Sequence, residues 1–164
     1  MDEQLISNFK QALRRVASTV TIITARAEGA TDGMTATAVT SLCADPPSLL
    51  ACVNQSATLS PTMYRAERFC VNVLYSDQED VSRVFSDPAR RHERFQIGKW
   101  VLDQDGPPYL ADAQANLFCH RMSAIPIETH TVFVGRVYDT RLRSGVAPLL
   151  YLNGTYSTAD AHRC

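Results

Sequence analysis

Thr35-Ala36-Thr37-Ala38-Val39-Thr40-Ser41-Leu42 runs into Asp45-Pro46-Pro47 and then into Ser48-Leu49-Leu50-Ala51-Cys52-Val53-Asn54. The segment reads as two strands joined by a tight, proline-bearing turn. The first strand carries hydroxyls and alanines where an ordinary core strand carries bulky aliphatics. Small side chains let a flat ligand approach the backbone itself, and the hydroxyls add hydrogen-bonding groups along the same edge. A planar, polar-edged cofactor fits such a surface. A half-exposed strand with threonines facing water fits the same pattern, and this segment alone does not separate the two.

The rest of the chain alternates short β-like runs with few helices. Leu5, Ile6, Phe9, Leu13 and Val16 recur at intervals of three and four, which predicts an amphipathic helix over Asp2–Val16. Thr19–Ala25 is rich in β-branched residues and predicts a strand, with Glu28–Gly33 as the turn into the Thr/Ala strand. Phe69–Leu74 predicts another strand, and Asp77–Phe85 a short helix capped by Asp77. From Ser86 to Pro108 no periodicity holds, and this long polar excursion surrounds Trp100, the only tryptophan. β-like stretches resume near Asn116–Ile125, Thr131–Leu142 and Leu149–Tyr156. The expected fold is mostly β with peripheral helices: a barrel or sandwich in a single domain spanning residues 1–164.

Composition narrows the functional classes. A net charge of -1 argues against nucleic acid or an acidic membrane as the main partner. No apolar run approaches the roughly 20 residues that a membrane-crossing helix requires, and the polar start predicts no signal peptide. The five cysteines (Cys43, Cys52, Cys70, Cys119, Cys164) are odd in number and form no CxxC pair, so free thiols and a reducing, cytoplasmic setting are expected.

The seven glycines form neither GxGxxG nor GxxxxGK[ST], and neither HExxH nor GxSxG occurs. A nucleotide cofactor must therefore be held another way. Asn54-Gln55-Ser56-Ala57-Thr58-Leu59-Ser60-Pro61 offers one. Ser60 reads as a helix N-cap and Pro61 as the first helical residue, with the hydroxyls of Ser56 and Thr58 just ahead of the positive end of the helix. A strand ending in Asn, a hydroxyl-bearing turn and a helix start together make an anion cradle. A plain helix cap would need only Ser60. His130, at the start of a β-like run, has no partner at metal-ligand or triad spacing, and adjacent Cys119-His120 face opposite ways on a strand, so no metal site is expected. Tyr151 and Tyr156 flank an Asn153-Gly154 turn, where hairpin packing or ring stacking could employ them.

Taken in order, these pieces resemble the short-chain flavin reductases, the reductase components of two-component flavin-dependent monooxygenases. The resemblance rests on Gly33-Met34-Thr35-Ala36-Thr37-Ala38-Val39, Asp45-Pro46-Pro47, Cys52-Val53-Asn54, Phe69-Cys70-Val71-Asn72-Val73-Leu74, Glu93-Arg94-Phe95, Thr129-His130 and Pro148-Leu149-Leu150-Tyr151. It implies an FMN-binding split β-barrel of at least six antiparallel strands with the N-terminal helix packed on it. The implied activity is reduction of FMN or FAD by NAD(P)H, with reduced flavin passed to a partner monooxygenase. Flavin contacts are implied for Met34, Thr35, Ala36, Thr37, Ala38, Ser41, Leu42, Asn54, Gln55, Ser56, Thr58 and Arg94. Contacts to NAD(P)H are implied for His130, Tyr151 and Tyr156. Glu128 departs from the family pattern, where Gly often precedes the Asp/Thr-His pair. No general base is assigned, because hydride passes directly between cofactor rings that the protein has only to stack and polarise. A homodimer is also implied. A non-catalytic flavin- or haem-binding split barrel and a pyridoxamine-phosphate-oxidase-like enzyme are the rival readings.

Overall fold

The structure is a computed structural model that describes residues 2–159. Asp2 caps the first helix, α1 (Glu3–Leu13), by accepting from the backbone N–H groups of Gln4 and Leu5. There follow β1 (Ser18–Thr19), β2 (Thr21–Ala27), β3 (Ala30–Ala36), β4 (Val39–Ala44), β5 (Pro47–Asn54), α2 (Leu59–Arg65), β6 (Arg68–Val73) and α3 (Glu79–Ser86). A 3-10 segment (Pro88–Glu93) leads to β7 (Trp100–Val101), β8 (Tyr109–Leu110), β9 (Ala115–Ile127), β10 (His130–Leu142), β11 (Leu149–Leu152) and β12 (Thr155–Thr158).

Seven strands form one sheet in the order β3-β2-β6-β9-β10-β5-β4, and every pairing in it is antiparallel. The two edge strands, β3 and β4, are consecutive in the chain. One core cluster takes buried side chains from both ends of this order: Ile23, Ala36, Val53, Phe69 and Phe133, with Val39 packed against it. The sheet is therefore rolled into a barrel whose seam lies where β3 hands over to β4. Close packing across the barrel is tightest at Gly135, where a Cβ would stand 2.5 Å from the Phe69 ring. Only glycine admits that ring.

A second core lies outside the barrel. Val20, Ile22, Val84, Phe85, Leu110 and Leu149 are buried there, with Phe95, Ile97, Trp100 and Tyr156 against them. The 86–108 excursion, patternless in sequence, supplies much of this layer. Trp100 packs 5.0 Å from both Phe85 and Phe95 and donates its indole N–H to the Ile97 carbonyl. Asn72, fully buried in β6, fastens the returning chain: it donates to the Ile22 carbonyl and accepts from the Leu110 N–H and the Asn116 amide. A buried amide satisfied on all sides fixes this loop where propensity could not.

Four expectations shift. The Thr35–Leu42 strand is two half-strands on opposite edges of the sheet, broken at Thr37-Ala38. The Glu28–Gly33 turn contracts to Glu28-Gly29, both at positive φ, because pairing with β2 extends Ala30–Gly33 as strand. The short helices start elsewhere: Thr58 rather than Ser60 precedes α2, and Gln78 rather than Asp77 precedes α3. Finally, α1 buries none of its residues, with Leu5 64%, Phe9 60% and Leu13 52% exposed. Its apolar stripe is largely exposed, and the C-terminal end of the helix meets the β11–β12 hairpin, where the Asn153 N–H donates to the Arg14 carbonyl. No described helix is long and apolar enough to cross a membrane.

Candidate active site

The break at Thr37-Ala38 lies at the seam, and both residues are exposed. The pairing of β4 with β5 places Val39 opposite Ala51, and the Ala38 carbonyl accepts from the Cys52 N–H. The crossing thus sits two residues from Asn54, at the end of β5. Two segments distant in sequence, 35–38 and 54–58, become neighbours. Their side chains differ in availability. Met34 and Ala36 pack with the barrel core. The Thr35 hydroxyl is committed to the Ser82 carbonyl at 2.6 Å. Thr37, Ala38, Ser41 and Leu42 are exposed, so the small residues at the crossing leave backbone open to a flat ligand.

The turn after β5 is held by Asn54, whose Oδ1 accepts from the Ser56 N–H at 2.9 Å and from the Ser56 hydroxyl at 2.8 Å. Gln55 ties the turn to the β9–β10 hairpin through its N–H to the Thr129 carbonyl and its amide to the His130 carbonyl. Thr58 makes no capping bond to α2. Its hydroxyl oxygen instead accepts from Arg94 Nη1 at 3.0 Å, which leaves its proton free to be donated. Ser56 is the reverse case, since its proton is already given to Asn54.

Behind Thr58 lies a buried charge system. Asp32 accepts from Arg94 at 3.0 Å, Arg91 at 2.8 Å and the Gly33 N–H at 2.8 Å. The side chains of Asp32 and Arg94 are 3% and 5% exposed, whereas that of Arg91 is 57% exposed. Arg94 Nη2 also donates to the Phe85 carbonyl, and its buried Nε has no partner. One carboxylate between two guanidiniums leaves a net positive charge beside the Ser56–Thr58 hydroxyls. Arg94 therefore orients Thr58 from behind, and Arg91 is the cation at the surface. Asp32 and Arg91 lie outside the residues that the sequence nominates: Asp32 falls in the predicted Glu28–Gly33 turn, and Arg91 is one of several cations in an aperiodic run.

His130 pairs with Asn54 across β10 and β5, and its Nδ1 lies 2.9 Å from the Thr129 hydroxyl. It is exposed, and the turn before it is made by Glu128 at φ 50. A glycine would hold that left-handed conformation without strain. Tyr151 and Tyr156 face each other across the β11–β12 hairpin, edge to face at 5.4 Å. The Tyr156 hydroxyl meets the Ser82 hydroxyl at 2.8 Å, so Tyr156 and Thr35 both end on Ser82. Tyr151 lines one hollow with Thr37. The two tyrosines and His130 thus approach the 35–38 and 54–58 segments from different elements. No group of three or more metal-ligating side chains occurs among the described residues.

The hydroxyl turn at Ser56 and Thr58, with Arg94 behind Thr58 and Arg91 at the surface, fits a phosphate, and the bare Thr37-Ala38 crossing fits a ring beside it. A flavin reductase-like domain model matches residues 13–160.

The chain belongs to the flavin reductase-like family.

It is 43% identical, over 93% of its length and 87% of the relative's, to the reductase component of an FADH(2)-dependent resorcinol hydroxylase from Rhizobium sp. (strain MTP-10005). It is 34% identical to the FMN reductase (NADH) RutF of Pseudomonas syringae pv. syringae (strain B728a), covering 90% of this chain and 83% of that one. Among solved structures, the NADH:FAD oxidoreductase SgcE6 of Streptomyces globisporus C-1027, in complex with NAD and FAD fragments, superposes with a TM-score of 0.88. That match covers 98% of this chain and 96% of that one at 26% identity.

Proposed function

We propose that the protein is an NADH-dependent flavin reductase that supplies reduced flavin to a partner monooxygenase, and that residues 1–164 form one such domain working in the cytoplasm. The observation that carries this reading is the juxtaposition at the seam: an exposed small-residue crossing at Thr37-Ala38 beside a hydroxyl turn backed by the Asp32–Arg94 pair. The names of the relatives, reductase component and FMN reductase (NADH), support the same chemistry.

Flavin and reduced nicotinamide supply the hydride chemistry themselves when bound; the protein has to hold them face to face and dry. Thr58, polarised by Arg94, donates to the flavin phosphate, and Ser56 joins by turning its proton away from Asn54. The exposed backbone at Thr37-Ala38 offers hydrogen bonds to the ring edge. His130, at the rim beside Asn54, contacts the nicotinamide side. Alignment of two reactants in this way accounts for roughly 7–11 kcal/mol of a barrier without any acid or base.

A homodimer is part of this reading. All of β4 from Thr40 to Ala44 is exposed, as is the apolar stripe of α1, and such surfaces are usual at subunit interfaces. Light scattering that returned a fully active monomer would remove this element.

The decisive assay is steady-state oxidation of NADH and NADPH with FMN and with FAD, on wild type, Thr58→Val and Ser56→Ala. Thr58→Val should weaken flavin binding more, about tenfold or beyond, because it removes a charge-backed donor worth roughly 1.5–3 kcal/mol. Ser56→Ala should cost less, since in wild type the bond to phosphate is gained only by giving up the bond to Asn54. Equal and negligible effects from both would place the phosphate elsewhere.

A further inference from the structure

We propose that Ser82 of α3 is a positioning residue for hydride transfer: through Tyr156 it fixes the β11–β12 hairpin relative to the Thr37-Ala38 crossing, so that the nicotinamide stacks on the flavin ring at reacting distance. The inference rests on the reductase reading, with the ring edge at Thr37-Ala38 and Tyr151 and Tyr156 on the nicotinamide side. Hydride passes between the two cofactors, one being oxidised as the other is reduced, and Ser82 exchanges no proton with either.

Serine is out of place on the face of α3 that carries it. Val81, Val84 and Phe85 make that face apolar, and Ser82 is fully buried among them. A helical serine in such a place can turn its hydroxyl back to the carbonyl four residues earlier. Among the described residues, the partner of the Ser82 hydroxyl is instead the Tyr156 hydroxyl, at 2.8 Å. The carbonyl of the same residue accepts from the Thr35 hydroxyl at 2.6 Å. One residue thus joins two strands that belong to different sheets: β3, two residues before the crossing, and β12.

The two sides of this joint differ in what else holds them. On the barrel side, α3 is pressed onto β3 one helical turn further along, where a Cβ at Gly33 would stand 2.8 Å from the Phe85 ring. On the hairpin side, β12 is the outer strand of the sheet β1-β11-β12, so its far edge has no backbone ladder among the described residues. Side chains grip it instead: Ser82 at the Tyr156 hydroxyl, and the Arg83 guanidinium over the Tyr156 ring at 5.0 Å. Tyr151 packs edge to face on Tyr156 at 5.4 Å and lines one hollow with Thr37. The contacts therefore close a circuit from the crossing through Thr35, Ser82, Tyr156 and Tyr151 back to the crossing. Ser82, buried at its middle, reaches neither cofactor and acts only through what it holds. A misplacement of about 1 Å can slow a positioned reaction by about 10²-fold, so a loosened joint is read in the rate.

The test is stopped-flow reduction of FMN by NADH with the full-length protein, for wild type, Ser82→Ala, Tyr156→Phe and the double variant. We expect either single change to lower the limiting reduction rate at saturating NADH about tenfold. The isotope effect of NADH deuterated at the transferred position should be undiminished, and FMN affinity should stay within about twofold of wild type. The double variant should be no slower than the slower single, because both changes break the same bond. Tyr156→Phe keeps the ring and removes only the hydroxyl, so it carries the test if Ser82→Ala fails to fold. Unchanged limiting rates, losses that multiply in the double variant, or an FMN affinity that falls in step with the rate would each overturn the proposal. A wild type that oxidised no NADH would sink the reductase reading and Ser82 with it; an active wild type with unaltered variants sinks Ser82 alone.

Discussion

Removing the Asp32 carboxylate tests whether the cradle stands on a buried charge. In Asp32→Ala, Arg94 stays 5% exposed but keeps only two neutral acceptors, Thr58 Oγ1 at 3.0 Å and the Phe85 carbonyl at 3.3 Å. Breaking one side of a desolvated pair costs roughly 3–5 kcal/mol, because the surviving charge is left uncompensated. For a chain of this size about 2–4 °C accompanies each kcal/mol, so Tm should fall by on the order of 10 °C. Arg91→Ala is the internal control. Its guanidinium touches the same carboxylate but is 57% exposed, and exposed pairs contribute only about 0–1 kcal/mol. Calorimetry without added flavin, backed by urea midpoints at unchanged m, separates the two variants. Coupled replacement, Asp32→Ala with Arg94→Met, should recover much of the loss, since an apolar pair carries no stranded charge. FMN affinity should also fall in Asp32→Ala, as the Arg94 guanidinium that orients Thr58 loses its own anchor. If Asp32→Ala melted within about 2 °C of wild type, the pair would not be desolvated and the account of the cradle would be wrong.

His130 is exposed at a strand start, so His130→Ala should change stability by no more than a surface substitution does, about 0.5 kcal/mol. It should instead raise KM for NADH or slow flavin reduction in stopped flow; unchanged kinetics at every NADH concentration would exclude it from the site. Burial pushes the Cys119 thiol up to about 12 and raises Cys70 well above its ordinary value. Both are then neutral in the folded protein, and the stability this contributes is complete below about pH 9 and lost as pH rises toward 12. Native thiol labelling at pH 8, read by peptide mapping, should modify exposed Cys43 rapidly and spare Cys70 and Cys119; rapid labelling of Cys119 would contradict its burial.

The local periodicities were legible in the sequence because each depends on neighbours within a turn or two. The amphipathic stripe of α1, the β-branched run of β2, the Asn54–Thr58 turn and the antiparallel β-rich class all follow from such spacing. The ordered motifs were enough to mark the family and to nominate the Thr/Ala segment and the Ser56–Thr58 turn. Tertiary structure decided what those residues do. Nothing local says that Thr35 and Ser41 lie on opposite edges of one sheet, because only barrel closure makes their strands the two ends of the strand order. Nothing local makes Asp32 a buried carboxylate either. Its partners stand 59 and 62 residues away, and long-range burial is what turns an apparent turn residue into the anchor of the site. The same holds for Trp100, whose segment reads as aperiodic because its regular pieces are short, a 3-10 segment and the two-residue strand β7, and its apolar residues pack on a second core. The exposed face of α1 shows the limit from the other side: amphipathicity specifies that a helix has an apolar face, and only packing specifies what, if anything, covers it.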